Sequence, residues 1–155
     1  MSRQTLISGA NQLVSSPSRL RALFTKCDDN FTELYNTVLV SVNIPAHASK
    51  TVYNLFTADQ TYAVKSIRVT PDVAQGGTLT ATISKATGTA TPASATTPLH
   101  SGTANLNATA HTVQTLTLTS TTADLSLAVG DRIGLILSAA LSTGSANVTI
   151  RLGKA

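Results

Sequence analysis

"NFTELYNTVLVSVNIP", residues 30–45, contains the change of period that decides the fold. Upstream of Tyr35, apolar residues recur at intervals of three and four; downstream, Val38, Val40, Val42 and Ile44 recur at intervals of two. The first spacing lines one face of a helix and the second lines one face of a strand. A helix therefore gives way to a strand near residue 37, and Pro45, which has no N–H for a ladder, ends that strand.

Downstream the strand period persists. Further strands are expected at "TVYNLFT" (51–57), "YAVKSIRVT" (62–70), "TLTATISKA" (78–86), "TVQTLTLTS" (112–120), "DRIGLILSA" (131–139) and "ANVTIRL" (146–152). Leu79, Ala81 and Ile83 alternate cleanly, as do Ile133, Leu135 and Leu137, then Val148, Ile150 and Leu152. "PDVAQGG", "AVGD" and "STGSAN" separate them as turns; Gly130 can take a positive φ and Asp131 can bond nearby amides. Short antiparallel strands divided by turns predict a mainly β chain, an antiparallel β-sandwich of jelly-roll type. Threonine suits the outward positions, because a β-branched side chain prefers extended backbone. The stretch 86–111 has few large apolar residues and reads as an exposed loop carrying one short strand near Leu99 or Leu106.

Upstream, residues 1–16 read as an extended arm. Ser16 can cap a helix and Pro17 suits its first position, where a missing N–H costs nothing. Leu20, Leu23, Phe24, Cys27, Phe31, Leu34, Tyr35 and Val38 then form one apolar stripe, which makes 17–37 an amphipathic helix and 38–155 the sandwich. Leu20, Phe24, Cys27, Phe31, Leu34 and Val38 also fit a heptad. The stripe is the candidate assembly surface, and Arg19, Arg21, Lys26, Asp28, Asp29 and Glu33 are candidate polar contacts beside it. It must meet the sandwich, its own symmetry mates or another protein.

Composition narrows the function. Charged residues are 12% of the chain, about half the usual share, while 42% are hydrophobic. The net charge of +4 comes from scattered lysines and arginines without interleaved aromatics, so specific nucleic-acid binding is not expected. One cysteine allows no intrachain disulfide and fits a reducing interior. No apolar run approaches the ~20 residues of a membrane span, and "MSRQTLISGANQLVSS" lacks a signal-peptide core. The sequons at Asn30, Asn107 and Asn147 read as chance.

Catalytic chemistry finds no foothold. His47, His100 and His111 lie far apart in polar, turn-like contexts and are expected at the surface, so no metal is expected. Cys27 falls on the apolar face, where a thiol is an inert small hydrophobe. Asp28 and Asp29 are adjacent and diverge on a helix, so they are not an acid/base pair. "QGGT" (75–78) precedes a strand, whereas a phosphate loop precedes a helix. The absence of Trp and the 4% aromatic content argue against a sugar-stacking groove, which leaves a carbohydrate-binding module as a remote alternative. The reading is of a non-enzyme without cofactors.

"PSRLRALFTKCDDNFTELYNTV" (17–38) resembles a segment near the N-termini of tailed-bacteriophage virion structural proteins. The resemblance is carried by Pro17, Arg21, Phe24, Lys26, Asn30, Phe31, Glu33, Leu34 and Tyr35, with "ISGANQLVSS" resembling the arm before it. It implies a capsid decoration (cement), head-fibre or tail-fibre protein, commonly a homotrimer, made in the bacterial cytoplasm and carried on the virion. One compact sandwich on a short anchor suits a decoration or head-fibre protein bound to the major capsid protein. The alternative is a tail fibre, baseplate or collar component that touches the host surface through 86–111.

Overall fold

A computed structural model of the chain describes residues 21–28, 36–94 and 97–154. The chain divides into two compact units, Met1–Thr37 and Val38–Ala155. In the first, residues 21–28 are helical. The expected arm (1–16) and the rest of the expected helix before residue 21 and over 29–35 lie outside the described residues.

The second unit is built from strands. They are β1 (Thr37–Pro45), β2 (Val52–Thr57), β3 (Tyr62–Pro71), β4 (Thr80–Ala86), β5 (Thr97–Pro98), β6 (Ala104–Asn105), β7 (Gln114–Leu116), β8 (Ser126–Leu127), β9 (Arg132–Leu137) and β10 (Ser145–Lys154). One sheet has the order β1-β10-β3-β7, with β8 also on β3; the other has β2-β9-β4-β5, with β6 also on β4. The pairs nest: β1 with β10, β2 with β9, β3 with β7 and β8, β4 with β5 and β6. The chain is thus one long hairpin of strand pairs, rolled so that successive pairs fall in opposite sheets. That is the jelly-roll form of the β-sandwich.

Alternation fills the space between the sheets. On β10, Ala146, Val148, Ile150 and Leu152 are buried; facing them from β9 and β4 are Ile133, Leu135, Leu137, Ala81 and Ile83. Val38, Val40 and Val42 of β1 are half-buried against the same core. Each fully buried Leu, Ile or Val contributes about 1.5–3 kcal/mol before entropy, so the interior outweighs any single polar contact. On β3 the inward set steps from Val64 to Ile67, because Leu152 pairs with Val64 while Arg151 pairs with Ser66. Lys65 is the extra residue of that bulge and is exposed.

The stretch 86–111 departs from its reading as an exposed loop with one strand. It carries two, β5 and β6, and both Leu99 and Leu106 are buried. Its first part folds back on the β2-β9-β4 sheet as a strap. Pro92, in a 3-10 turn (Pro92–Ser94), is buried so closely on Gly134 that a Cβ there would lie 2.2 Å from Pro92 Cβ. Arg132 fastens the strap, its Nη2 donating to the carbonyls of Gly88 at 2.6 Å and Ala90 at 2.5 Å.

Two further pieces were not apparent in the sequence pattern. A one-turn helix, Thr122–Leu125, leads into β8. Lys85 Nζ reaches it from β4, donating to Ala123 O at 2.9 Å and Ser126 O at 3.0 Å. The expected strand at 112–120 is regular only over Gln114–Leu116. Beyond it, Thr119 N–H donates to Leu99 O at 3.1 Å while Leu99 N–H donates to Ile83 O at 2.9 Å. Leu99 therefore joins the two sheets along one edge. The turn before β9 follows the sequence reading, with Gly130 at φ 85 and Asp131 accepting from Ala128 N–H at 2.8 Å.

Candidate functional site

Within residues 21–28 the apolar stripe is open. Leu23 is 43% exposed and Phe24 63%, and Arg21, Lys26, Cys27 and Asp28 are exposed too. Cys27, on the apolar face of the expected helix, is exposed. Thr25 Oγ1 donates back to Arg21 O at 2.9 Å, a bond within the helix. Leu20, Phe31, Leu34, Tyr35, Arg19, Asp29 and Glu33 lie outside the described residues. Val38, last in the stripe, stands in β1 and packs on the sandwich core.

The histidines do not converge. His47 is exposed and structural, its Nδ1 accepting from Ser49 N–H at 3.1 Å and Lys50 N–H at 3.0 Å. His111 is exposed at φ 63, its N–H donating to Pro71 O at 2.7 Å. His100 corrects the expectation of a surface residue: it is 3% exposed. After Leu99 the chain leaves β4, and no backbone carbonyl follows to take the next N–H of that strand. His100 Nε2 takes it instead, accepting from Ile83 N–H at 2.9 Å. The ring proton then belongs on Nδ1, which faces Ser101 O at 3.5 Å. Burial lowers the pKa of His100 below the usual 6.5, while the Ser101 and Gly102 carbonyls pull the other way. It is a buried acceptor that completes a ladder.

Among the described residues no three His, Cys, Asp or Glu side chains gather as a metal site. Nor is any helix among them long and apolar enough to cross a membrane. The interior around Ile44, Val69, Leu106, Leu135, Leu141 and Val148 is lined by apolar side chains alone, with no polar group to orient a ligand. Surface carboxylates hold the fold together. Asp72 accepts from Ser145 Oγ and from Asn147 Nδ2, and Asn43 Nδ2 donates to both Ser145 Oγ and Asn147 Oδ1. Asp59 accepts from the Tyr62 hydroxyl at 2.7 Å, which raises the Tyr62 pKa.

The two outer faces of the sandwich differ. The strap lies on the β2-β9-β4 sheet, so Ser84, Ala86 and Gly134 are buried although they point away from the core. The β1-β10-β3-β7 sheet carries no such cover among the described residues. Its outward side chains include Leu39, Arg68, Val113, Thr115, Asn147, Thr149 and Arg151, and Leu39 is 65% exposed.

No family model matches this chain, and no curated protein matches it. Among solved structures it is similar to a chain described as "Structure of infectious bursal disease virus Gx strain", at 15% identity and a TM-score of 0.38. The match covers 76% of this chain and 32% of that one, so this chain spans about a third of the other's length. At that score the two backbones differ too much for partners or assembly to be carried across.

Proposed function

We propose that this chain is a structural protein of a tailed-phage virion, a capsid-decoration or head-fibre protein. In this reading the 17–37 segment assembles the protein and the jelly roll is the body held on the capsid surface. The observation that carries it is the open apolar stripe, with Leu23 and Phe24 exposed in the segment that resembles the phage family. Exposed apolar side chains of that size call for a partner, and a trimer of such helices supplies one.

The mechanism is mechanical. Covering Leu20, Phe24, Phe31, Leu34 and Tyr35 contributes about 1.5–3 kcal/mol each before ordering costs. A trimer presents three jelly rolls together, so contacts too weak to hold one copy on a capsid add through effective concentration. The core of the sandwich, closed along one edge by Leu99 and strapped on one sheet, suits a body that must keep its shape under load.

The test is to separate heads from tails and locate the chain by mass spectrometry. Recovery with heads supports decoration. Recovery with tails replaces it with the tail-fibre, baseplate or collar reading, and absence from both refutes a virion role.

A further inference from the structure

We propose that the outer face of the β1-β10-β3-β7 sheet docks against an acidic protein surface. The sandwich contains seven lysines and arginines from Lys50 to Lys154, and they divide by strand. Three have intramolecular work. Lys85 caps the Ala123 and Ser126 carbonyls, Arg132 holds the strap, and Lys50 Nζ lies 4.5 Å from the Tyr53 ring centre. Lys65, Arg68 and Arg151 are exposed and make no hydrogen bond or ion pair among the described residues. Lys154, also exposed, ends β10 opposite the inward Tyr62.

Register places the three together. Arg68 pairs with Thr149 and Ser66 pairs with Arg151, so the two arginines sit diagonally on adjacent strands. Their Cα atoms are then roughly 8 Å apart, given ~4.8 Å between strands and ~3.4 Å per residue. The bulge at Lys65 adds a third cation beside Arg151. Asp72, just past the end of β3, is engaged by Ser145 and Asn147, and Asp59 by the Tyr62 hydroxyl. Three neighbouring cations without an ion pair among the described residues repel one another mildly in water and gain when a partner supplies carboxylates.

The surroundings select the partner. Thr115, Thr149 and Ser66 are short, so the face is flat, and Leu39 and Val113, 65% and 56% exposed, stand toward opposite sides of it. Arginine is enriched at protein interfaces, and exposed Leu39 and Val113 add apolar contact area beside the cations. The arginine fork also matches a carboxylate with two parallel bonds. Bases and sugars need aromatic platforms, and none of the described outward residues of this sheet is aromatic. All of these groups belong to the sandwich, whichever particle carries the chain.

The test uses the full chain with poly-L-glutamate as probe and an oligodeoxythymidylate of equal charge beside it. Amide shifts on adding polyglutamate should map to Ser66–Arg68, Thr149–Arg151 and Thr115, and vanish at high salt. Arg68→Glu with Arg151→Glu should weaken binding by about tenfold or more. Lys50→Glu with Lys154→Glu, an equal change of net charge elsewhere, should weaken it by less than about threefold. Equal loss in both pairs overturns the proposal, as do shifts spread over the strapped sheet. Tighter binding of the oligonucleotide on the same face would overturn it in favour of nucleic acid. The wild-type shift map decides even if a variant fails to fold.

Discussion

Replacing His100 with leucine leaves the Ile83 N–H without an acceptor beside a residue that is itself fully buried. An orphaned buried donor costs about 1–3 kcal/mol. Leucine fills much of the imidazole volume, so most of the loss comes from the bond and not from a cavity. Glutamine is the informative partner, because its side-chain oxygen reaches about as far as Nε2 and can accept from Ile83. His100→Leu should therefore lose about 2 kcal/mol more than His100→Gln. In a domain of this size that gap lowers Tm by roughly 6–10 °C, read by circular dichroism.

Acid offers a second test of the same bond. The folded-state pKa of His100 lies below its ordinary value of 6.5, so between the two the unfolded chain binds the extra proton. Its contribution is complete above pH 6.5 and is lost as pH falls toward the folded pKa. The slope is positive between the two pKa values and is bounded at about 1.4 kcal/mol per pH unit for one proton. Urea unfolding midpoints between neutral and mildly acid pH should show this slope in the wild type and lose it in His100→Gln. A leucine variant as stable as the glutamine variant, or a slope unchanged by the substitution, refutes the role given to His100.

Gly134→Ala drives a methyl into Pro92 and should destabilise by about 1–3 kcal/mol, with partial recovery on adding Pro92→Gly. Thermal melts of the single and double variants measure both. Lys85→Met keeps the stem but releases the Ala123 and Ser126 carbonyls, and should cost about 1–2 kcal/mol in urea unfolding. If the stripe assembles the proposed trimer, Phe24→Asp should leave the sandwich melt unchanged and move the mass by light scattering from three times 16.0 kDa to one.

The alternation of Val38–Ile44, Leu79–Ile83, Ile133–Leu137 and Val148–Leu152 made the sandwich legible, because each such strand buries one face. Legibility failed where tertiary contacts replace pattern. β5, β6 and β8 are two residues each, too short for any alternation. Their strand character comes from partners on β4 and β3. The strap reads as loop because small residues suffice to lie on a glycine. His100 reads as a surface residue between Leu99 and Ser101, since nothing local reveals that the chain leaves β4 there. Of the apolar stripe, Leu23 and Phe24 are exposed within 21–28, and helical spacing alone does not name what covers such a face.

A decoration or head-fibre role requires the chain to be a stoichiometric part of a virion. Quantitative mass spectrometry of purified particles against the major capsid protein measures this directly. The proposed role predicts many copies per particle, in a fixed ratio to capsid subunits and in multiples of three. A chain absent from the particle, or recovered in amounts unrelated to the capsid subunits, would contradict it.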